Sequence, residues 1–230
     1  MLGGFVQPMR FTINAVFVKC FGTKIMIGVL AVSLINYLLI TNIVDMILLG
    51  RLTIRLSGKS HVRQYAIKTD NRIDIQTGFQ CSAFSTAYVL RHFGMEADGE
   101  AIYPVMPHKM KSGYVYPKGV RTLLRSYGLD VKYCRGNLNT LKADLQKGCP
   151  VVVMIRVRKD RDWLHYVPVV GYDEEHLFLA ESLSELINCE CGFYNRKVKN
   201  KDFLQLWNTA MVKQPFYKNT YFLVNSKKNA

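Results

Sequence analysis

A run of uncharged residues near the amino end places the strongest constraint on what this chain can fold into. Residues 25–44, IMIGVLAVSLINYLLITNIV, contain no charged side chain. This length matches the roughly 20 residues that a helix needs to cross the hydrocarbon core of a bilayer. The sequence therefore predicts a membrane anchor helix over residues 25–45. Two alternatives stay open at this point: a cleaved secretory signal, and a buried or interfacial helix.

The segment after this run favours an anchor that is retained. The apolar region of a signal peptide is shorter, about 7–15 residues, and a small-x-small cleavage site follows it. Here the run continues into DMILLGRLTIRL, which holds no such site. Arg and Lys residues occur in similar numbers before and after the run. We therefore expect a single membrane pass, and the positive-inside rule assigns no side to the rest of the chain.

The remainder of the chain has the composition of a basic, folded domain. Among 230 residues, 31 Lys and Arg stand against 17 Asp and Glu, a net charge of +14, and 49% of residues are hydrophobic. This hydrophobic content excludes a disordered chain. The basic residues are scattered and accompany no nucleic-acid-binding motif, so we expect no nucleic-acid partner. A domain held close to anionic lipid would benefit from such charge.

The residue pattern predicts four segments. These are a short N-terminal segment (1–24), the membrane anchor (25–45), a linker (46–64) and a folded domain (65–226). Within the domain helices come first and strands dominate later, which favours an α+β fold with an antiparallel sheet. The predicted helices cover residues 81–93, 118–127, 138–147 and 202–207, and the predicted strands cover residues 129–133, 150–157, 164–172, 177–182 and 220–225.

Two residues in this pattern have the chemistry of a thiol hydrolase. Cys81 opens the helix predicted over 81–93, where the positive end of the helix dipole favours a thiolate. His165 lies within an apolar strand, where an imidazole is costly unless its nitrogens are paired. Each has an ordinary interpretation as well, a buried free cysteine and a hydrogen-bonded core histidine. Together they fit a nucleophile and its general base.

A third group is needed to hold the imidazole ring in place. Glu181 ends the strand that we expect to pair with the strand of His165, and a carboxylate there could accept a ring N–H. Ser182 is adjacent and Asp173 lies in the intervening turn. Because turn residues are usually solvated, Glu181 ranks above both.

Acyl transfer also needs a donor for the developing oxyanion. Gln76, five residues before Cys81, could present its side-chain amide beside the backbone N–H of the cysteine. Gln80 is nearer in sequence, but it immediately precedes the cysteine and could point away from it. We therefore take Gln76 as the candidate oxyanion residue.

At these positions the chain resembles a known family. The segments QTGFQCSAFSTAYVLRHFG, which contains Cys81, and HYVPVVGYD, which begins at His165, are similar to segments of papain-like cysteine peptidases. The similarity is to those related to the bacteriocin-leader-processing (double-glycine) peptidases, family thirty-nine of the papain clan. LKADLQKGCPVVVMI and KDFLQLW resemble two further segments of that family. The resemblance implies a papain-like fold over residues 65–226, with an N-terminal helical half packed on an antiparallel sheet.

Carried over by position, the resemblance assigns the nucleophile to Cys81 and the base to His165. The chain departs from the family pattern in three places. A serine follows the cysteine where the family usually has Gly. Glu181 and Ser182 stand where it usually has an Asp-Pro pair. Gln76 is one residue closer to the cysteine than the usual spacing.

A Cys–His site needs no cofactor, and the other cysteines make a poor metal site. Cys189 and Cys191 form a single C-x-C pair, whereas structural zinc is held by two paired ligand sets, so we expect no metal. We predict a membrane-anchored cysteine peptidase acting on a peptide or protein substrate, with residues 25–45 in the membrane. The alternatives are a catalytically silent peptide-binding domain of the same fold, and a thiol acyltransferase or amidase.

Overall fold

The computed structural model describes residues 10–49, 51–60, 62–211 and 214–226. The chain divides into two compact units, Met1–Val44 and Asp45–Ala230. The second unit contains every strand of the described residues and every candidate site residue.

The first unit is occupied by most of helix α1 (Arg10–Leu49), which is 40 residues long. Its segment Gly22–Ile40 has 19 residues and a mean hydropathy of 1.9, and none of it is buried inside the protein. This segment is long and apolar enough to cross a membrane, and a signal sequence near the amino end has the same properties. The helix begins 15 residues before position 25, so the predicted anchor is the apolar part of a longer helix.

Eight strands of the described residues form one sheet. The strands are β1 (Leu52–Ile54), β2 (Tyr65–Ala66), β3 (Leu129–Arg135), β4 (Val151–Arg158), β5 (Arg161–Tyr172), β6 (His176–Leu179), β7 (Arg196–Lys199) and β8 (Thr220–Ser226). Their order across the sheet is β1-β3-β8-β4-β5-β6-β7, and β2 pairs with β5. Only the β1–β3 pair among them is parallel. The predicted α+β fold with an antiparallel sheet is confirmed.

The α-helices of the second unit lie where the sequence predicts them, with one short addition. They are α2 (Cys81–His92), α3 (Gly99–Ile102), α4 (Pro117–Ser126), α5 (Leu138–Leu145) and α6 (Asn200–Trp207). Gly94 and Gly128 follow α2 and α4 with φ of +76° and +81°, a left-handed conformation that ends helices and that glycine adopts without strain. Asn137 caps α5 by accepting the Thr140 N–H at 3.0 Å.

The sheet is buried on both faces, and β4 shows how. Because successive side chains of a strand point to opposite faces, Val152 and Met154 pack in one cluster with residues of α2 and α4. Val151 and Val153 pack in another cluster with residues of α5 and α6. Helix α2 lies directly against β5. The first residue of α2 is thereby held close to the middle of β5.

The segment predicted as a linker, residues 46–64, contributes a strand. Its β1 runs parallel to β3, with Leu52 opposite Tyr133. Arg55, just after the strand, reaches the buried carboxylate of Asp144 at 3.0 Å. The strand residues are Leu52, Thr53 and Ile54, and the last two are β-branched, which favours an extended chain. The sheet therefore begins before residue 65, the predicted start of the domain.

Candidate active site

Cys81 is the first residue of α2 and is 5% exposed. The first N–H groups of a helix have no partner within the helix and carry its partial positive charge. Cys81 and His165 line the same cleft, and the nearby thiol raises the pKa of the His165 imidazole, so the structure brings the two residues together.

His165 lies near the middle of β5, opposite Ile155 of β4, and is 1% exposed. Helix α2 is fixed to this strand by Ser85, whose hydroxyl donates to the Tyr166 carbonyl at 2.9 Å. The ring Nε2 lies 2.7 Å from Glu181 Oε1. Since Nε2 is occupied by the carboxylate, Nδ1 is the ring nitrogen left for the thiol.

Glu181 follows β6 by two residues and is fully buried. One carboxylate oxygen accepts from His165 and also from the Leu183 N–H at 2.8 Å. The other accepts from Arg196 Nη1 at 2.7 Å. Both carboxylate oxygens are therefore hydrogen-bonded, and the group reaches the imidazole in spite of being a Glu where the resemblance implies an Asp.

Two residues on the neighbouring chain segment hold Glu181, and sequence reasoning missed both. Arg196 is buried, although its run of basic residues suggests a solvated surface. The signal available in the sequence is its spacing of two from Val198, which lies on the same buried side of β7. Asn195 bonds to both backbone groups of Glu181, at 2.7 Å to the N–H and 2.8 Å to the carbonyl.

The buried pair of His165 and Glu181 is electrostatically matched. Burial lowers the pKa of His165, but the charge of Glu181, its hydrogen bond to the ring and the nearby Cys81 thiol outweigh it, so this pKa is raised. Burial raises the pKa of Glu181, but His165, Arg196 and the Leu183 N–H outweigh it, so this pKa is lowered. The arrangement favours an imidazolium beside a carboxylate, with the thiol on the other side of the ring.

Gln76 lines the same cleft as Cys81 and is anchored to Ser182, the residue after Glu181. Its N–H donates to the Ser182 carbonyl at 2.9 Å, and its Oε1 accepts from the Ser182 hydroxyl at 2.6 Å. Its Nε2 donates to the Gly78 carbonyl. An amide nitrogen carries two hydrogens, so one remains for another acceptor. Gln80, the other candidate, bonds instead to Glu100 at 2.6 Å.

These groups line a cleft of about 560 Å³. Its lining includes Gln76, Cys81 and His165. It also includes the aromatic residues Phe79 and Trp163, each 54% exposed. An adjoining apolar cavity of about 380 Å³ shares three lining residues with the cleft, Tyr114, Trp163 and Leu164. The cleft is therefore large enough for a chain-like ligand and has exposed apolar contacts beside the thiol.

The described residues contain no group of three or more His, Cys, Asp or Glu that could hold a metal ion. Cys189 and Cys191 are both free thiols.

An α+β domain in which a helix-opening cysteine meets an imidazole–carboxylate pair has the architecture of the cysteine peptidase folds. Residues 62–214 match the Peptidase C39-like family. This match covers more than half of the chain, and the chain belongs to that family. The predicted family resemblance is thereby confirmed. A comparison with curated protein sequences finds no match.

Two solved structures share the fold. The peptidase domain of Streptococcus ComA, a bifunctional ABC transporter involved in a quorum sensing pathway, is 12% identical with a TM-score of 0.54, covering 69% of this chain and all of that one. A C39-like peptidase from Bacillus anthracis is 16% identical with a TM-score of 0.53, covering 70% of this chain and 98% of that one. At these identities the likeness concerns the fold.

Proposed function

We propose that this chain is a membrane-anchored cysteine peptidase whose catalytic residues are Cys81 and His165. The observation that carries the proposal is that Cys81, the first residue of a helix, shares a cleft with His165, whose ring Nε2 lies 2.7 Å from the buried carboxylate of Glu181. Such an arrangement supplies a nucleophile, a proton carrier and a group that orients the proton carrier.

The first half of the reaction forms an acyl-enzyme. The Cys81 thiolate attacks the carbonyl carbon of a peptide bond, and a C–S bond forms while the carbonyl π electrons move to oxygen. The tetrahedral intermediate then collapses, and the C–N bond breaks. The imidazolium of His165 gives its proton to the departing amine. The product that remains is a thioester on Cys81 and a neutral imidazole.

The second half restores the enzyme. Neutral His165 takes a proton from a water molecule as its oxygen attacks the thioester carbonyl. The C–S bond breaks, and the electron pair returns to sulfur as thiolate beside the imidazolium. Water thus supplies the hydroxyl of the new carboxylic acid, which then loses its proton to solvent, and both residues end in the state in which they began.

The oxyanion is stabilised in this proposal by Gln76 and by the backbone N–H of Cys81. The Cys81 N–H is unpaired within the helix because the residue opens α2. The second amide hydrogen of Gln76 is the other donor, and Ser182 orients this amide by donating to its oxygen. Two donors aimed at one oxygen are the usual composition of an oxyanion hole.

The substrate in this proposal is a peptide or protein segment bound along the cleft. Exposed rings at the cleft, Phe79 and Trp163, offer apolar contacts. Arg158 and Arg161 also line it, on the β4–β5 hairpin, with Glu185 opposite in charge. A substrate with apolar residues and an acidic residue near the cleaved bond fits this lining best.

The proposed anchor is the apolar part of α1, within residues 25–45, and residues 65–226 form the proposed peptidase domain together with strand β1. The supporting observation is the 19-residue apolar segment Gly22–Ile40. Replacing both Val32 and Leu34 by Arg should release the full chain from sedimented membranes, because each charge near the bilayer centre costs about 2.5–3.5 kcal/mol. N-terminal sequencing of the membrane-bound protein then separates an anchor from a cleaved signal.

The test of the peptidase is a substitution series on the full chain in detergent. Wild-type protein and Cys191→Ala, which removes an exposed cysteine outside the cleft, should cleave members of a quenched-fluorescent peptide library at equal rates. Cys81→Ala should give no turnover while its thermal unfolding stays unchanged. Turnover by Cys81→Ala would refute the assignment.

Product analysis distinguishes the alternatives. Mass spectrometry of products formed with added amines separates hydrolysis from acyl transfer. A wild-type protein that binds library peptides without cleaving any, and whose Cys81 is alkylated no faster than Cys191, would be the silent binding domain.

A further inference from the structure

A second cavity lies at the β1–β3 edge of the sheet and shares no lining residue with the catalytic cleft. It has a volume of about 480 Å³ and is bordered by β1, β3, β8 and α4. Six cationic side chains line it and one carboxylate does, Asp130; the cations are Arg51, Arg55, Arg121, Arg125, Lys132 and Lys147. The lining therefore carries a formal charge of +5, which is a strong attraction for an anion.

Four of these cations lie in two pairs, and the spacing within each pair puts both side chains on one side of a helix or strand. Arg121 and Arg125 are four residues apart on α4, a spacing that puts them on one face of the helix. Like charges at this spacing destabilise a helix. Arg51 and Arg55 flank β1 at positions of equal parity, which puts them on one side of the strand. Two elements thus present paired guanidinium groups to one cavity.

Few carboxylates neutralise these cations within the part of the chain that the structure describes. Arg55 and Lys147 share the buried carboxylate of Asp144, at 3.0 and 2.6 Å. Arg51, Arg121 and Arg125 form no ion pair with a described residue.

Arg121 is the most informative of them because it is 9% exposed. Its only described partner is a neutral backbone carbonyl, that of Arg51 at 2.9 Å. A buried guanidinium without a carboxylate is costly, and both burial and the nearby Arg125 lower its pKa. The Nε atom of Arg55 is likewise buried without a hydrogen-bond partner. A bound anion would satisfy these groups.

We propose that this cavity, lined by Arg51, Arg55, Arg121 and Arg125, binds a phosphate group. Guanidinium forks match phosphate oxygens in bidentate geometry. A phosphate monoester has three acceptor oxygens and up to two charges, against two oxygens and one charge for a carboxylate, so it can satisfy more of these donors. The one aromatic residue in the lining, Tyr133, is buried, so no ring is offered for stacking with a nucleobase. The cavity therefore recognises the phosphate group and not an attached base.

A phosphate of this kind has two possible sources, a lipid headgroup and a soluble phosphorylated molecule. In the sequence, Arg51 comes two residues after the end of α1 at Leu49. The lipid source therefore rests on the membrane anchor of the proposed function. The cavity volume is within the roughly 300–1,000 Å³ of small-molecule sites, which also accommodates a soluble ligand.

The test is a calorimetric titration of the full chain in neutral detergent at constant ionic strength. The probes are inorganic pyrophosphate, short-chain phosphatidylglycerol, short-chain phosphatidylcholine and a penta-aspartate peptide. Arg121→Gln/Arg125→Gln should weaken binding by about tenfold or more, since each charge-assisted hydrogen bond contributes to affinity. Lys199→Gln/Lys201→Gln removes the same charge from exposed positions outside the cavity, so it should leave binding unchanged.

The titrations distinguish a soluble phosphorylated ligand from a lipid headgroup, and they also identify results that would overturn the proposal. Binding of pyrophosphate without phosphatidylglycerol indicates a soluble ligand, and the reverse indicates a lipid headgroup. Binding of neither, binding of penta-aspartate alone, or equal losses in both double variants would overturn the proposal. Should the Arg121 variant unfold, Arg51→Gln serves instead, because this side chain is exposed and makes no described side-chain bond.

Discussion

Replacing Glu181 by Gln is the sharpest perturbation of the proposed site. The amide has nearly the shape of the carboxylate but no charge, and its nitrogen cannot accept a hydrogen bond. It therefore meets the three groups that surround Glu181, the imidazole of His165, the guanidinium of Arg196 and the Leu183 N–H, with one acceptor oxygen instead of two.

The magnitude follows from the lost contacts. A hydrogen bond to a charged group contributes about 1.5–3 kcal/mol, and each 1.36 kcal/mol is tenfold in rate. Loss of the bond that orients His165 should therefore lower kcat/KM by about 10–150-fold. The unpaired, buried charge of Arg196 should also lower the free energy of unfolding by about 3–5 kcal/mol.

The assay combines pH–rate profiles with thermal unfolding for the wild type, Glu181→Gln and Glu181→Gln/Arg196→Gln. Because the charge of Glu181 raises the pKa of His165, its removal should move the alkaline limb of the profile to lower pH. The second substitution removes the unpaired cation, so it should restore much of the stability without restoring the rate.

Two results would refute this reasoning. An unchanged kcat/KM and alkaline limb in Glu181→Gln would mean that the carboxylate does not orient the ring. Recovery of the rate together with the stability in the double variant would mean that Glu181 acts only through the fold.

Three further predictions concern the supports of the site. Gln76→Ala should lower kcat by about 10²–10³ with little change in KM, as expected for an oxyanion donor, and steady-state kinetics on the best library peptide would measure both. Asp144→Asn should reduce the free energy of unfolding by about 1–3 kcal/mol, since it weakens the hydrogen bonds of this buried carboxylate with Arg55, Lys147 and the Tyr221 hydroxyl while both cations stay partly solvated; urea unfolding would measure it. Glu181 has a lowered pKa, so its contribution to stability is complete above the unfolded value of about 4.3 and is lost as the pH falls through the folded value. The melting temperature of Glu181→Gln/Arg196→Gln should accordingly depend less on pH in this acid range than that of the wild type.

Much of the fold could be predicted because its signals are local. Helices that end at glycine and strands with continuous apolar runs need no knowledge of distant residues. The closeness of Cys81 and His165 could also be inferred, since a helix-opening cysteine and an imidazole in an apolar strand both call for a partner. Their catalytic roles remain predictions.

The missed features depend on pairings between distant segments. Strand β1 is stabilised by β3, and Leu52 finds its partner Tyr133 far along the chain. Arg196 has the composition of a surface residue, and it is buried only because the β6–β7 register brings it to Glu181. A guanidinium can be buried when a carboxylate is already there, and neither residue alone carries that information.

Glu181 and Ser182, which stand where the family usually has an Asp-Pro pair, support each other structurally. The longer Glu181 side chain can contact His165, Arg196 and the Leu183 N–H at once because Asn195 fixes its backbone on both sides. A proline at position 182 would have no hydroxyl, whereas the hydroxyl of Ser182 bonds to Gln76. The chain segment that orients the imidazole therefore also orients the proposed oxyanion donor. This coupling argues that the pair Glu181–Ser182 is compatible with catalysis, and that the departures by themselves do not indicate a silent domain.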